Sequence, residues 1–423
     1  MRRFETSILL LLGTLATSNS VAGGLWINEF GSPIMGRAGA GSTSGLDDAS
    51  AALHNPASMV ALDRDQIMAT AGVIASEIKF DVESSRAING SDNGGDAGDI
   101  APIASLFYVR KLADRWKLGI YAGGFTGAAL EYNDQWVGRF QAQRVELLAL
   151  GFMPSLAYKV NERFSVGLGV PVIYSTLELD VALPGSVSTD AQAQLDGDDT
   201  QVGINLSAYF ELSDKTRLGL LYQSSFDFEY GGDIDIQNFA SSPIVSTDTK
   251  ISLADYIKGS ISHDFTDTFS GHITVGWEDW SVMDSIIISG ENITGALSKD
   301  WDDIWHYAAG IEYQFAPAWT LNAGIRYDDN PTEARKRTAD MPVDEQIRYA
   351  LGITYQRRQD FTIGAHLVYA DYGDGDIVAE NSITVPSPGP LPVEIDIPTG
   401  FSGNYKNNDI YFFSVSFNWL LGD

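Results

Sequence analysis

The sequence predicts an all-β protein, a transmembrane antiparallel β-barrel of about fourteen strands with a small, largely non-sheet N-terminal segment placed ahead of it. Three observations lead there. Six short polar turns recur every 42 to 53 residues and alternate with long polar loops. The segments between them alternate apolar with small or polar residues, the period of a strand that has one face in lipid. Residues 23–62 share neither feature and are dense in Gly, Ala and Ser.

Composition fits this class. The chain has 423 residues, 42 of them Gly, with 11% aromatic residues and a mean hydropathy of -0.06. Those values suit strands that are apolar on one face and polar on the other. Length alone would allow two or three domains, but no Pro/Ser-rich linker divides the chain. No segment after the N-terminus offers about 18 uninterrupted apolar residues, so helical membrane spans are not expected. A net charge of -29 excludes nucleic acid as a partner, because phosphates would be repelled. There is no Cys, and a large β protein needs no disulfide staples.

Residues 1–22 read as a secretory signal. Arg2 and Arg3 supply the charge, the apolar stretch 8–16 is too short to span a bilayer, and Ser20-Val21-Ala22 is a small-x-small cleavage site. Residues 23–62 then read as a small, compact, hatch-like segment ahead of the barrel. Asp47 and Asp48 are placed to cap a helix through Ser50 to Leu53. Asn55-Pro56 restarts the chain, with Asn as N-cap and Pro at the first helical position, where its missing N–H costs nothing.

Residues 63–423 read as the barrel. The turns lie at 112–116, 160–164, 212–216, 265–269, 315–319 and 357–361. Long loops are expected near 83–100, 127–146, 181–198, 231–249, 281–301, 329–343 and 373–408, at the opposite end. In residues 361–369, Phe361, Ile363, Ala365, Leu367 and Tyr369 share one face, while Thr362, Gly364 and His366 share the other. Residues 319–327 and 411–419 repeat the pattern. In a barrel the apolar faces meet lipid. Trp116, Phe164, Phe269, Trp319 and Phe361, beside the turns, would form an interfacial girdle. A soluble propeller or solenoid would instead show a short repeat with little variation in loop length.

These residues resemble a known family, the FadL-type outer-membrane transporters of long-chain fatty acids and hydrocarbons. The resemblance starts at residues 25–30 (LWINEF) and Gly36-Arg37-Ala38, and continues through Asp47-Asp48-Ala49 and Asn55-Pro56-Ala57. Downstream it includes residues 131–134 (EYND), 277–281 (WEDWS) and 327–331 (YDDNP), so it spans essentially the whole mature chain. It implies a monomeric barrel in outer-membrane lipid, closed by the hatch, that takes up a hydrophobic small molecule through an apolar pocket and releases it sideways through the wall. Physics asks for such a device: moving about fifteen CH₂ groups into water costs roughly 12 kcal/mol, at about 0.8 each. A hatch that excludes water and then shifts would keep the chain dry.

On this reading Leu25, Trp26, Ile27 and Phe30 contribute to the ligand pocket, being too apolar to hang in the periplasm. Asn55, Pro56 and Ala57 fix the hatch without touching ligand. The family kinks an early strand inward, and residues 116–127, interrupted by Gly123-Gly124, match by order and by glycine content. The alternatives are uptake of an aromatic or alkane hydrocarbon, a general porin, and an outer-membrane lipase. Two features depart from the family: the chain ends Trp419-Leu420-Leu421-Gly422-Asp423 rather than on an aromatic residue, and no basic group is assigned to a carboxylate head, with Arg139 and Arg144 as loop candidates.

No catalytic residue, cofactor or metal is called for. His54, His263, His272, His306 and His366 show no helical metal spacing. Ser260, Ser262 and Ser270 near two of these histidines keep the lipase alternative open, without a GxSxG elbow. The glycines of residues 36–45 lack the strand and the Gly-Lys-Ser/Thr of a phosphate loop. Acidic loops, such as the one holding Asp371, Asp374 and Asp376, lack the twelve-residue Ca²⁺ pattern and read as solvated surface.

Overall fold

A computed structural model describes residues 31–86, 92–186, 189–237, 244–290, 293–380, 382–386 and 394–422. The expected signal and the apolar group Leu25, Trp26, Ile27 and Phe30 lie outside the described residues.

Alternating sequence becomes a closed ring of fourteen antiparallel strands among those residues. β1 (Asp65–Ser85), β2 (Ile100–Ala113), β3 (Trp116–Glu131) and β4 (Arg144–Asn161) are unbroken. The next six are each interrupted once. They are β5 (Phe164–Gly169, Val172–Ser186), β6 (Thr189–Val202, Asn205–Ser213) and β7 (Thr216–Gln223, Phe226–Gln237). Then come β8 (Ile244–Leu253, Tyr256–Thr266), β9 (Phe269–Glu278, Ser285–Gly290) and β10 (Ile293–Ser298, Ile304–Ala316). β11 (Trp319–Asp328), β12 (Gln346–Arg358), β13 (Phe361–Asp371) and β14 (Phe401–Leu421) complete the wall. β14 pairs back onto β1, from Asp65 opposite Leu421 to Ser85 opposite Phe401, which closes the sheet and removes its edges from lipid.

All six turns are two residues long, and each has the same construction. The register slips on the incoming strand, leaving Leu112, Val160, Leu212, Phe265, Phe315 and Arg357 without a partner. A bulge adds one residue and re-aims it, and Leu112 and Phe265 stand outward at 55% and 59% exposure. The girdle aromatics sit in cross-strand pairs. Trp116 faces Tyr158, Phe164 faces Phe210, Phe269 faces Tyr313, Trp319 faces Tyr355 and Phe361 faces Trp419. Ring centroids in these pairs are 4.4 to 6.4 Å apart, so the girdle is a ladder of paired rings. Higher in the wall the faces separate as the pattern requires: Phe413 is 43% exposed and its neighbour Ser414 only 1%.

Four of the seven expected loops are largely ladder instead. β5 and β6 pair through most of 181–198, and β7 and β8 continue across much of 231–249. β9 and β10 pair between Ser285 and Ser298. Within 373–408, Ile377–Ala379 pairs with β14, and Ser382–Pro386 pairs with Glu394–Pro398. Asp, Ser and Thr on both faces of these strands, as where Asp233 opposes Ser246, give them a loop-like composition. Backbone pairing above the membrane does not need an apolar face.

The N-terminal segment 31–62 lies inside the ring. It holds two 3₁₀ turns, Pro33–Arg37 and Pro56–Ala61, and one short helix, α1 (Ala51–His54). It hydrogen-bonds to β4 at Ser155, β5 at Ser165, β6 at Ser207, β7 at Gly219, β8 at Ser260 and β9 at Thr274. Only a segment within the barrel reaches so many strands. The helix signals are used differently from expectation. Asp48 Oδ1 accepts the Ser50 N–H at 2.8 Å ahead of the helix, and α1 starts at Ala51 with Ser50, not an aspartate, in the cap position. Asn55 precedes its turn without capping it through the side chain.

Candidate functional site

The inward side chains of single strands show how the lumen is layered. Reading up β12 from the turn end, Gly352 meets Gly36 of the N-terminal segment, and Arg348 and Gln346 follow. On β9 the order is His272 and Thr274 against the segment, then Glu278, then Trp280. Three layers result, spaced by the strand rise of about 3.3 Å per residue. They are a seat for the segment, a charged belt and an apolar upper lumen.

The seat brings backbone against backbone. A Cβ added at Gly219 would fall inside contact distance of the Thr43 carbonyl, one at Gly324 of the Arg37 carbonyl, and one at Gly167 of the Ala57 N–H. Asn55, Pro56 and Ala57 belong to this layer. Asn55 Nδ2 donates to Thr43 O at 2.6 Å and to Ala208 O of β6 at 3.1 Å, tying the segment to itself and to the wall. The Ala57 N–H donates to Ser207 Oγ, and the Ala57 carbonyl accepts from Ser165 Oγ. Nearby, the Asp48 carboxyl is pushed up to about 6, first by burial and then by Asp47.

Arg37 donates to His272 Nε2 at 2.8 Å, to Glu312 at 3.2 Å and to the Gly45 carbonyl. Guanidinium only donates, so His272 Nε2 accepts and its proton sits on Nδ1, which donates to Ser262 Oγ at 2.8 Å. A serine whose oxygen accepts from the histidine is not deprotonated by it, so this dyad anchors the N-terminal segment, with Ser44 next in the chain of bonds. Ser260 bonds Thr274 and Ser270 bonds Asp264. Among the described residues no group of three His, Asp or Glu is placed to hold a metal ion, the acidic loop at 371–376 included.

The charged belt lies above the seat. Arg326 bonds Asp328 at 2.6 Å and lies 3.7 Å from Glu278. His306 Nδ1 lies 3.1 Å from Glu278, and Trp280 donates to the same carboxylate at 2.7 Å. All five side chains are buried, and buried charges are tolerated when paired in this way.

Above the belt the lumen is apolar. Phe125 of β3 meets Phe226 of β7 across the interior at 5.8 Å, and Phe226, Phe228 and Tyr230 line one strand. Leu147, Leu177, Ile251, Trp280 and Trp301 belong to the same cluster. Sequence reasoning missed these residues because, Trp301 apart, they lie in or beside strands whose pattern does not show which inward side chains meet at one height.

Gly123 and Gly124 mark a break in the wall. The β2–β3 ladder ends at Ser105 opposite Gly123. Beyond it, β2 pairs only with β1, and β3 only with β4. β3 bulges between Gly124 and Thr126, which turns Phe125 inward to 6% exposure. Pro102, a residue confined to strand edges by its missing N–H, lies on β2 beside the seam. A cavity of about 220 Å³ opens there, lined by Ile103, Gly124, Phe125, Leu147, Met341 and Val343 among others.

Met341 and Val343 belong to the loop between β11 and β12, residues 329–345, which folds into the lumen as a strap. Its base is held by Arg337, which donates to Val343 O at 2.8 Å and to Asp344 at 3.0 Å. Its tip is held by Lys299, which bonds Asp340 at 2.6 and 2.5 Å and Thr338 at 2.5 Å. Lys299 is fully buried; burial holds it below the usual lysine range, and the Asp340 carboxylate opposes that shift. No pattern in the sequence singles out Lys299. The two arginines that composition did single out are already paired, Arg139 with Asp190 at 2.8 Å and Arg144 with Glu146 and Glu178.

Comparison with known proteins agrees with this architecture. The family model described as outer membrane protein transport protein (OMPP1/FadL/TodX) matches residues 13–418. A long-chain fatty acid transport protein of Escherichia coli O6:H1 is 24% identical over 408 residues, covering 86% of this chain and 91% of that protein. Outer membrane protein P1 of Haemophilus influenzae is 26% identical over 417 residues, covering 87% and 90%. Among solved structures, a Pseudomonas aeruginosa FadL homologue superposes with a TM-score of 0.81 at 20% identity, over 96% of this chain and all of that one. The Pseudomonas putida toluene transporter TodX gives 0.66 at 16% identity, over 90% and 97%. A closed fourteen-strand barrel matched by the family over almost its whole length is an outer-membrane protein, and the chain belongs to the OMPP1/FadL/TodX family of outer membrane transport proteins.

Proposed function

We propose that this protein takes up long-chain fatty acids across the outer membrane, holds them in the apolar upper lumen and releases them sideways between β2 and β3. The observation that carries the reading is the end of the β2–β3 ladder at Ser105 and Gly123, beside apolar groups of the lumen and of the strap. A route straight down must cross the charged belt of Glu278, Arg326 and Asp328, and then the seated segment. Moving an alkyl chain past paired charges forfeits roughly 0.8 kcal/mol per CH₂. A route through the seam meets lipid directly.

On this reading residues 23–62 are a hatch that seals the barrel. Leu25, Trp26, Ile27 and Phe30, at its start, contribute apolar groups to the pocket. Asn55, Pro56 and Ala57 hold it to the wall.

The test uses Gly124. A side chain there meets open space, whereas one at Gly123 would strike Ser105 and the Ala104 carbonyl and prise the strands apart. Gly124→Val therefore fills the seam without disturbing the ladder. Uptake of radiolabelled oleate by cells should fall at least tenfold while the amount of heat-modifiable barrel is unchanged. In purified protein the variant should still bind oleate, whereas Trp26→Ala should bind it several-fold more weakly. Normal uptake by Gly124→Val rules out the side route, and normal binding by Trp26→Ala removes the N-terminal residues from the pocket.

A further inference from the structure

The strap sits between the apolar lumen and the seam. Met341 and Val343 pack in one cluster with Phe125, Leu147 and Trp280, and the same two residues line the cavity at Gly124. The strap therefore stands on the way from the lumen cluster to the seam. The tip is fastened by two kinds of bond. Tyr132 Oη donates to Ala339 O at 3.1 Å, Asn408 Nδ2 to Pro342 O at 2.9 Å, and the Ala339 N–H to Gln141 Oε1 at 3.1 Å. These are neutral bonds of ordinary strength. The Lys299–Asp340 pair is different, because both groups are buried at 2% exposure or less and breaking it strands two charges.

We propose that the strap is the inner gate of the side seam, and that a carboxylate-headed ligand releases it by replacing Asp340 on the Lys299 ammonium. Exchange of one carboxylate for another leaves the buried ammonium paired throughout, so the cost that keeps the latch shut is never met in full. Asp340 lines the cavity, so the latch is within reach of a ligand there. A ligand that pairs with Lys299 only after Asp340 has left binds the open state better than the closed one, which is the condition for shifting a two-state equilibrium. An uncharged hydrocarbon fills the same lumen without that differential. The gate thus makes the head group, rather than the chain, the trigger for exit. The inference rests on the side route proposed above.

The chain has no natural Cys, so Met341→Cys gives a single thiol reporting on the strap tip. The full-length protein in liposomes is treated with a maleimide, with and without oleate or hexadecane. The expected result is slow labelling alone, labelling about tenfold faster with oleate, and no acceleration with hexadecane. With Asp340→Asn added, labelling should be fast without ligand and indifferent to oleate. Acceleration by hexadecane equal to that by oleate, or a rate that oleate does not change, overturns the proposal. Where the Asp340→Asn form fails to assemble, the two ligand arms on Met341→Cys alone decide it. Labelling does not depend on transport. If the gate responds while Gly124→Val still takes up oleate, the side route has failed and the latch has not.

Discussion

Asn55 shows how a residue type foretells position but not partner. Asn before Pro marks the start of a helical turn, and a turn begins there, yet the amide points at two carbonyls on other parts of the molecule. The two roles separate by substitution. If Asn55 only capped, Asp would serve as well as Asn, and Ala would cost about 1 kcal/mol. As a staple it needs donors, and Asp would aim oxygen at the Thr43 and Ala208 carbonyls. Asn55→Ala leaves both buried acceptors without that donor, at about 1–3 kcal/mol, and Asn55→Asp is expected to loosen the segment further because it sets oxygen against oxygen. Protease cleavage within residues 31–62 in the assembled barrel measures this, and equal effects of Asp and Ala would restore the cap. Gln66, Ser155 and Ser165 act in the same register, as wall residues whose hydrogen bonds the strand pattern does not reveal.

At the scale of elements, the strands and turns were the most legible part of the chain. Period-two alternation is imposed by lipid on one side, so the lipid-facing residues of β11, β13 and β14 are apparent without coordinates. The six turns were equally plain. Their bulges and the aromatic partners Tyr158, Phe210, Tyr313, Tyr355 and Trp419 follow only once the register is known. The contact between segment and wall is a tertiary fact of the same kind. Gly219 reads as one small residue in a strand, but it is where the Thr43 carbonyl rests. Gly219→Val is expected to lift the segment from β7 while leaving the ladder intact. Planar-bilayer recording should then show steady ion conductance for the variant and almost none for the parent protein. A variant as tight as the parent would mean that the seal does not depend on this contact.

For the whole molecule, the vertical order of seat, belt, apolar lumen and strap decides which way an apolar solute travels. No single strand carries that order as a recognisable motif. It arises because inward residues at equal height come from strands far apart in the chain, such as Glu278 on β9 with Arg326 and Asp328 on β11. The family-level expectation of an apolar-solute transporter agrees with the order, and the head-group question left by Arg139 and Arg144 passes to Lys299, which has its own carboxylate partner in the strap.

By itself the sequence determined the class, the strand count and the turn end, because each is written in local periodicity. Tertiary structure alone decided that much of the polar loop composition is ladder, that the segment is seated on backbone, that β2 and β3 part company above Ser105, and that a loop turns inward to fill the gap. The physical reason is common to all four. Lipid acts on every residue of a spanning strand and leaves a repeating mark. Contacts inside a closed lumen join residues far apart in the chain, one pair at a time, and impose no period on either partner.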